Sequence, residues 1–174
     1  MANLKRSHIA GLSLSAAALV ALVSHEGYTD KAVIPVKGDV PTVGFGSTFR
    51  DDGTPVRMGD AVTPVQALRR SLAHIQRDET GLKKCVTGAL NQIEYDVLVN
   101  FAYQYGVAAT CKSSMVRHIN AGRYPEACDA YARYRFVGQR DCSLPENRRV
   151  CGGVWTRSLS RQADCHAAGQ GVES

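Results

Sequence analysis

Three stretches of different rhythm follow one another along the chain. From Ser7 to His25 no Lys, Arg, Asp or Glu occurs. Within that run Ile9, Leu12, Ala16, Leu19, Val20 and Val23 recur at helical spacing, which predicts one continuous helix with an apolar stripe. From Val33 to Thr54 Gly, Pro and Val dominate. This predicts a hairpin about Lys37-Gly38-Asp39 and a second turn at Asp51-Asp52-Gly53, with Pro35 and Pro41 confining the strands to edges. Helical periodicity then holds to the end. Thr63-Pro64-Val65-Gln66 opens a helix with a Thr cap, Pro at its first position and Gln at its third. Asn91-x-x-Glu94 opens another, with Ile93, Val97, Leu98, Phe101 and Ala102 on one face and Gly106 as its stop. Shorter helices are predicted from Ser114 to Asn120 and from Pro125, and a last one capped by Thr156 through Ala168.

The first stretch admits more than one reading. At 1.5 Å per residue a helix over 7–25 would be roughly 28 Å long, close to the thickness of a bilayer core. Its seven strong apolar residues contribute roughly −2 to −4 kcal/mol of insertion energy, and its serines, glycine and His8 erode that. Insertion is therefore marginal. A cleaved signal peptide would need Ala16-Ala17-Ala18 as its site, which lies inside the apolar run. A packed first helix of a released protein is the third reading, compatible with the first. Lys5-Arg6 precede the run and Glu26-Gly27 follow it at once.

Composition narrows the class. The 174 residues contain no Pro/Gly/Ser-rich linker, so one catalytic or binding domain over 26–174 is expected behind the segment 1–25. The net charge of +5 favours polyanionic surroundings such as anionic lipid or bacterial cell wall. The basic residues are spread out, with no basic run interleaved with aromatics, which argues against nucleic acid. Six cysteines, at 85, 111, 128, 142, 151 and 165, all follow the β-rich stretch. An even count behind an export-like segment points to three disulfides in an oxidising compartment. The absence of any C-x-x-C pair argues against zinc. Short spacing favours Cys142–Cys151 for one of the bridges.

Further motifs carry a resemblance. Glu26-Gly27-Tyr28 followed by Thr42-Val43-Gly44-Phe45-Gly46 resembles the phage-type lysozymes, the endolysins of glycoside hydrolase family 24. In that family a catalytic Glu ends the first helix and a Thr-Ile-Gly-x-Gly motif lies on the next hairpin. Gln92 to Gly106 resembles the family's central helix, Ser113 to Gly122 its next helix, and Gly153-Val154-Trp155-Thr156-Arg157-Ser158 its Gly-Leu-x-x-Arg-Arg segment. The Ala/Ser/Gly-rich start further resembles the subgroup with signal-anchor-release segments. The resemblance implies an α+β, mostly helical lysozyme-like fold with a small β-hairpin or three-stranded sheet after the first helix. It also implies pairing of Cys128 with Cys165, as in lambdoid relatives, which leaves Cys85 for Cys111.

The chain departs from the family at the second acid. The usual spacing places Pro35 where the family has Asp or Cys. A hairpin one residue longer brings Thr42 into register but recovers no Asp, so Asp39 and Asp30 are the local substitutes. Ser47 stands where many relatives have His.

Together the residues and the resemblance lead to an endolysin that hydrolyses the β-1,4 bonds between N-acetylmuramic acid and N-acetylglucosamine of peptidoglycan, for host lysis. Glu26, expected against the core, would protonate the leaving oxygen, Thr42 would hold the attacking water, and Asp39 would act as base or electrostatic stabiliser. No cofactor or metal is expected. A monomer is expected, its partners being the glycan strands and, through residues 7–25, the inner membrane with the N-terminus inside. Release would then deliver the enzyme to the periplasm. A lytic transglycosylase, which uses one Glu and no Asp, and a non-catalytic membrane-anchored wall-binding module are the alternatives.

Overall fold

The computed structural model describes residues 5–35 and 38–170. The chain divides into two compact units. One runs from Leu14 to Glu79; the other takes the residues up to Ser13 together with those from Thr80 on.

The unit from Leu14 to Glu79 begins with helix α1 (Ala16–Glu26). The continuous helix expected over 7–25 is not formed. Ile9–Gly11 make a 3-10 turn, Leu12 to Ser15 are extended, and α1 starts afresh. The serines account for the break. Ser15 caps the helix by accepting the Ala18 N–H at 3.1 Å, and the Leu14 N–H goes to Glu79 Oε1 at 2.7 Å instead of joining a helical ladder. The expected stripe fails with it, since Ile9 now lies outside the helix and Val20 is 63% exposed while Leu22 is buried. Among the described residues no helix is long and apolar enough to cross a membrane.

After α1 come β1 (Thr29–Val33) and β2 (Thr42–Gly44), antiparallel, with Thr29 opposite Gly44 and Val33 opposite Thr42. Four steps along β1 thus match two along β2, so β1 carries a bulge. Lys37 of the expected turn lies outside the described residues. The other edge of β1 is met by the segment around Ala61, where Ala32 N–H donates to Asp60 O at 2.8 Å and Val62 N–H to Asp30 O at 2.9 Å. The second turn forms at Asp51-Asp52-Gly53, closed by Arg50 N–H to Thr54 O at 2.8 Å. Ala32, Val43, Val56, Val62 and Ala67 form the small core of this unit, with Phe45 packed on it. Helix α2 (Pro64–Leu82) opens with the expected reciprocal cap, Thr63 N–H to Gln66 Oε1 at 2.9 Å and Gln66 N–H to Thr63 Oγ1 at 3.3 Å.

The second unit is helical. Helix α3 (Gln92–Tyr105) carries the Asn91/Glu94 capping box and stops at Gly106. Around it lie α4 (Val107–Cys111), α5 (Ser114–Asn120), α6 (Tyr124–Ala130) and α7 (Arg148–Gln170). Strands β3 (Phe136–Val137) and β4 (Arg140–Asp141) form a hairpin before α7. The core is built on Val97, Phe101, Met115, Ala130 and Tyr131, with the Cys128–Cys165 disulfide inside it. Two differences from expectation stand out. Ile93, in the first turn of α3, is 38% exposed, because the buried side of that turn is taken by Glu94 and Tyr95. Helix α7 begins eight residues ahead of Thr156, across a kink at Cys151 whose backbone is non-helical (φ −144°, ψ 16°). The disulfides are Cys85–Cys111, Cys128–Cys165 and Cys142–Cys151.

Candidate active site

The candidate site lies in the unit from Leu14 to Glu79, where α1 runs into the sheet. Helix α1 ends on Glu26, and Gly27 turns the chain into β1 with φ +72°. Beyond β2 the chain reverses over Gly44-Phe45-Gly46, and Val43 and Ser47 close this turn by exchanging N–H···O bonds, both 3.0 Å. Both glycines hold positive φ, +69° at Gly44 and +77° at Gly46. Gly46 brings the turn to the end of α1: a Cβ placed there would lie 3.6 Å from Glu26 Oε2. Gly44 lets α2 approach from the other side, since a Cβ there would meet Ala67 Cβ at 2.7 Å.

The turn is braced by aromatic and polar contacts that the sequence pattern does not reveal. Tyr28 and Phe45 rings lie 5.5 Å apart, and the Tyr28 hydroxyl donates to Val62 O at 2.8 Å. Behind them Arg50 forks onto Asp60 at 2.7 and 2.8 Å. That guanidinium, with the Arg57 N–H, pushes the Asp60 carboxyl down to about 2. The only hint in the sequence is the aromatic residue held between two glycines.

Glu26 is exposed rather than packed against a core. Helix α1 buries only Leu22, so its end projects to solvent. Thr42 is half-buried on β2, and its hydroxyl reaches Val33 O at 3.5 Å, the outer limit of a hydrogen bond. The fold thus brings Glu26 to the turn that follows Thr42. Asp39 sits on an exposed turn, where Oδ1 accepts the Val40 N–H at 2.8 Å. This is the ordinary behaviour of an Asp in a turn. Asp30 is exposed on β1 and its backbone carbonyl is taken by Val62 N–H. Ser47 directs its hydroxyl to Phe49 O at 2.9 Å. Among the described residues no cluster of three His, Cys, Asp or Glu side chains could hold a metal ion.

Helix α1 thus ends in a carboxyl set against the glycine turn of a small sheet. Residues 23–151 match the family model described as phage lysozyme. The endolysin of Salmonella phage P22 is 30% identical over 139 residues, covering 79% of this chain and 94% of that protein. A protein of Pseudomonas phage phiKMV described as a SAR-endolysin is 34% identical over 122 residues, covering 70% of this chain and 72% of its own. The solved endolysin of Escherichia coli O157:H7 phage FAHEc1 superposes with a TM-score of 0.75 at 25% identity, covering 89% of this chain and 94% of that one. The chain belongs to the phage lysozyme family. It is therefore a glycoside hydrolase of the lysozyme class, and its substrate is peptidoglycan.

Proposed function

We propose that the chain is an endolysin cutting the β-1,4 bond between N-acetylmuramic acid and N-acetylglucosamine, with Glu26 as the proton donor. The observation that carries this assignment is the approach of the Glu26 carboxylate to the Gly46 turn, four residues past Thr42. A carboxylic acid held on a helix end against a rigid turn can meet the glycosidic oxygen of a chain lying along the sheet. As the bond breaks, positive charge grows on the sugar ring and water attacks from the opposite face. The Thr42 hydroxyl, with only a 3.5 Å backbone contact, is available to orient that water. Asp39 is the carboxylate on the same hairpin that would activate the water or stabilise the developing charge. An inverting course would need about 6.5–9.5 Å between the two carboxyls.

The engagement of Asp39 in its own turn favours a second reading, a lytic transglycosylase working with Glu26 alone. Mass spectrometry of murein fragments separates them, because hydrolysis adds a water and transglycosylation leaves an anhydro end. The hydrolase predicts hydrated ends from wild type and at least tenfold slower release by Asp39→Asn. Anhydro ends from both proteins would establish the transglycosylase.

We also assign residues 7–25 a membrane-spanning helical form before release, with Lys5-Arg6 on the cytoplasmic side and 26–174 outside. The same residues then take up the turn and shorter helix described above, in a periplasmic monomer. The similarity to a protein described as a SAR-endolysin and the weak apolarity of the segment support this. Replacing Gly11, Ser13 and Ser15 by Leu adds a few kcal/mol of insertion energy and removes the α1 cap, so cell fractionation should find that variant in membranes and non-lytic. A Leu variant as soluble and as lytic as wild type would end this reading.

A further inference from the structure

The segment between α6 and α7 differs in character from the rest of the surface. From Arg133 to Arg149 it holds five arginines against two acids, Asp141 and Glu146. One of those acids is committed within the segment. Asp141 Oδ1 accepts from Ser143 N–H at 3.0 Å and from the Ser143 hydroxyl at 2.7 Å, while Oδ2 accepts from Arg135 Nε at 3.1 Å. Asn147 donates to the Asp141 carbonyl at 2.8 Å, and Cys142 N–H to Arg135 O at 2.8 Å. The Cys142–Cys151 disulfide ties the end of β4 to the kink of α7. The hairpin is thus a fixed frame rather than a loose connection.

That frame displays apolar and cationic side chains side by side. Phe136, Val137, Leu144 and Val150 are 49, 52, 42 and 66% exposed. Arg140, Arg148 and Arg149 are exposed too, and among the described residues none of the three makes an ion pair. Val137 lies opposite Arg140 in the hairpin, so an aliphatic group and a guanidinium leave the same face. Isolated exposed apolar residues are normal on any protein. Here four fall within fifteen residues on a disulfide-held element, interleaved with unpaired arginines.

We propose that this stapled hairpin docks on a bilayer bearing anionic phospholipid headgroups. Its apolar side chains would enter the boundary between headgroups and acyl chains, and its guanidinium forks would take the lipid phosphates bidentately. Peptidoglycan is the other available polyanion, but its hydrated sugars and stem peptides offer only small apolar groups to Phe136, Val137, Leu144 and Val150. A lipid surface uses both halves of the patch. The patch is separate in sequence from residues 7–25, so its docking does not require that segment to be in the membrane.

The test is co-sedimentation of the full chain with phosphatidylcholine vesicles, with the same vesicles containing phosphatidylglycerol, and with purified murein sacculi. Two variants accompany wild type: Arg140→Gln/Arg148→Gln/Arg149→Gln, and Phe136→Ser/Val137→Ser. All substituted positions are solvent-exposed, and circular dichroism verifies folding. Wild type should bind the phosphatidylglycerol vesicles at low salt and lose them at high salt, and each variant should bind about tenfold or more weakly. Sacculus clearing should be unchanged in both. Variants that bind vesicles like wild type, or wild type that binds neutral vesicles equally well, would overturn the proposal. Loss of sacculus binding with retained vesicle binding would assign the patch to the wall instead. Failure of wild type to clear sacculi would count against the lysozyme assignment and leave the vesicle result standing.

Discussion

Gly44 and Gly46 do different work within one turn. At Gly44 an added methyl would meet Ala67 Cβ at 2.7 Å and its Cα at 3.3 Å, so helix α2 itself would have to move. With the positive φ, Gly44→Ala should cost roughly 2–4 kcal/mol in urea unfolding. At Gly46 the neighbour is Glu26 Oε2 at an ordinary 3.6 Å, so Gly46→Ala should cost only about 1 kcal/mol, from φ alone. Equal costs at the two sites would contradict this division. A third residue should respond to pH. Asp78 is 8% exposed, its Oδ2 has no hydrogen-bond partner among the described residues, only His74 Nε2 at 3.6 Å, and burial raises its carboxyl despite the nearby His74 and Arg77 charges. A carboxyl raised on folding contributes its stability below the unfolded value, near pH 4, and loses it as pH rises through the folded value. Asp78→Asn should therefore raise Tm at pH 7 and leave it nearly unchanged at pH 3. A Tm gain of equal size at both pH values would remove burial of the charge as the cause. The motif from Thr42 to Gly46 marks both glycines in the sequence, but what each one meets, and the burial of Asp78, depend on what the fold brings near them.

At the scale of elements, local chemistry was legible and tertiary pairing was not. The caps at Thr63/Gln66 and Asn91/Glu94 could be read directly, because both partners sit within one turn of chain. The first helix departs from the pattern because Ser15 caps it by taking the Ala18 N–H while Glu79, 65 residues beyond Leu14, takes the Leu14 N–H. The docking of residues before α1 has the same long-range character. Ser7 exchanges two backbone hydrogen bonds with Leu90, both 2.9 Å, and Ile9 is fully buried. The Lys83 ammonium donates to Leu12 O at 2.7 Å. Arg6 pairs with Glu94, whose side chain is 3% exposed, and its guanidinium lies 3.5 Å from the Tyr124 ring centre. Arg6→Met would strand a buried carboxylate and should cost about 3 kcal/mol of stability. Arg6→Lys keeps the charge but loses the fork, and should cost less. The protein's Tm measures both, and a wild-type Tm for Arg6→Met would show that the pair contributes nothing net.

Over the whole molecule the disulfides and the proposed chemistry are segregated. All three bridges lie in the unit built from Thr80 on, and the proposed Glu26 site lies in the unit from Leu14 to Glu79, which has none. The 37-residue Cys128–Cys165 span should contribute about 3–4 kcal/mol. Reduction should therefore lower the denaturation midpoint without chemically altering the site, which urea titration with and without reductant would show. The family and fold class were legible because Glu26-Gly27, Thr42-Val43-Gly44-Phe45-Gly46 and the α3 segment occur in the right order. The division into two units was not, since the first unit is cut from the middle of the chain. The exposure of Glu26 is not legible in the sequence either, because one buried residue on α1 cannot be distinguished from a full stripe by spacing alone. The most direct test of the account is Glu26→Gln, which keeps the shape of the side chain and removes its proton. On purified murein the variant should clear about 10²–10⁴-fold more slowly than wild type, with unchanged circular dichroism and Tm. Clearing within tenfold of wild type would contradict Glu26 as the acid.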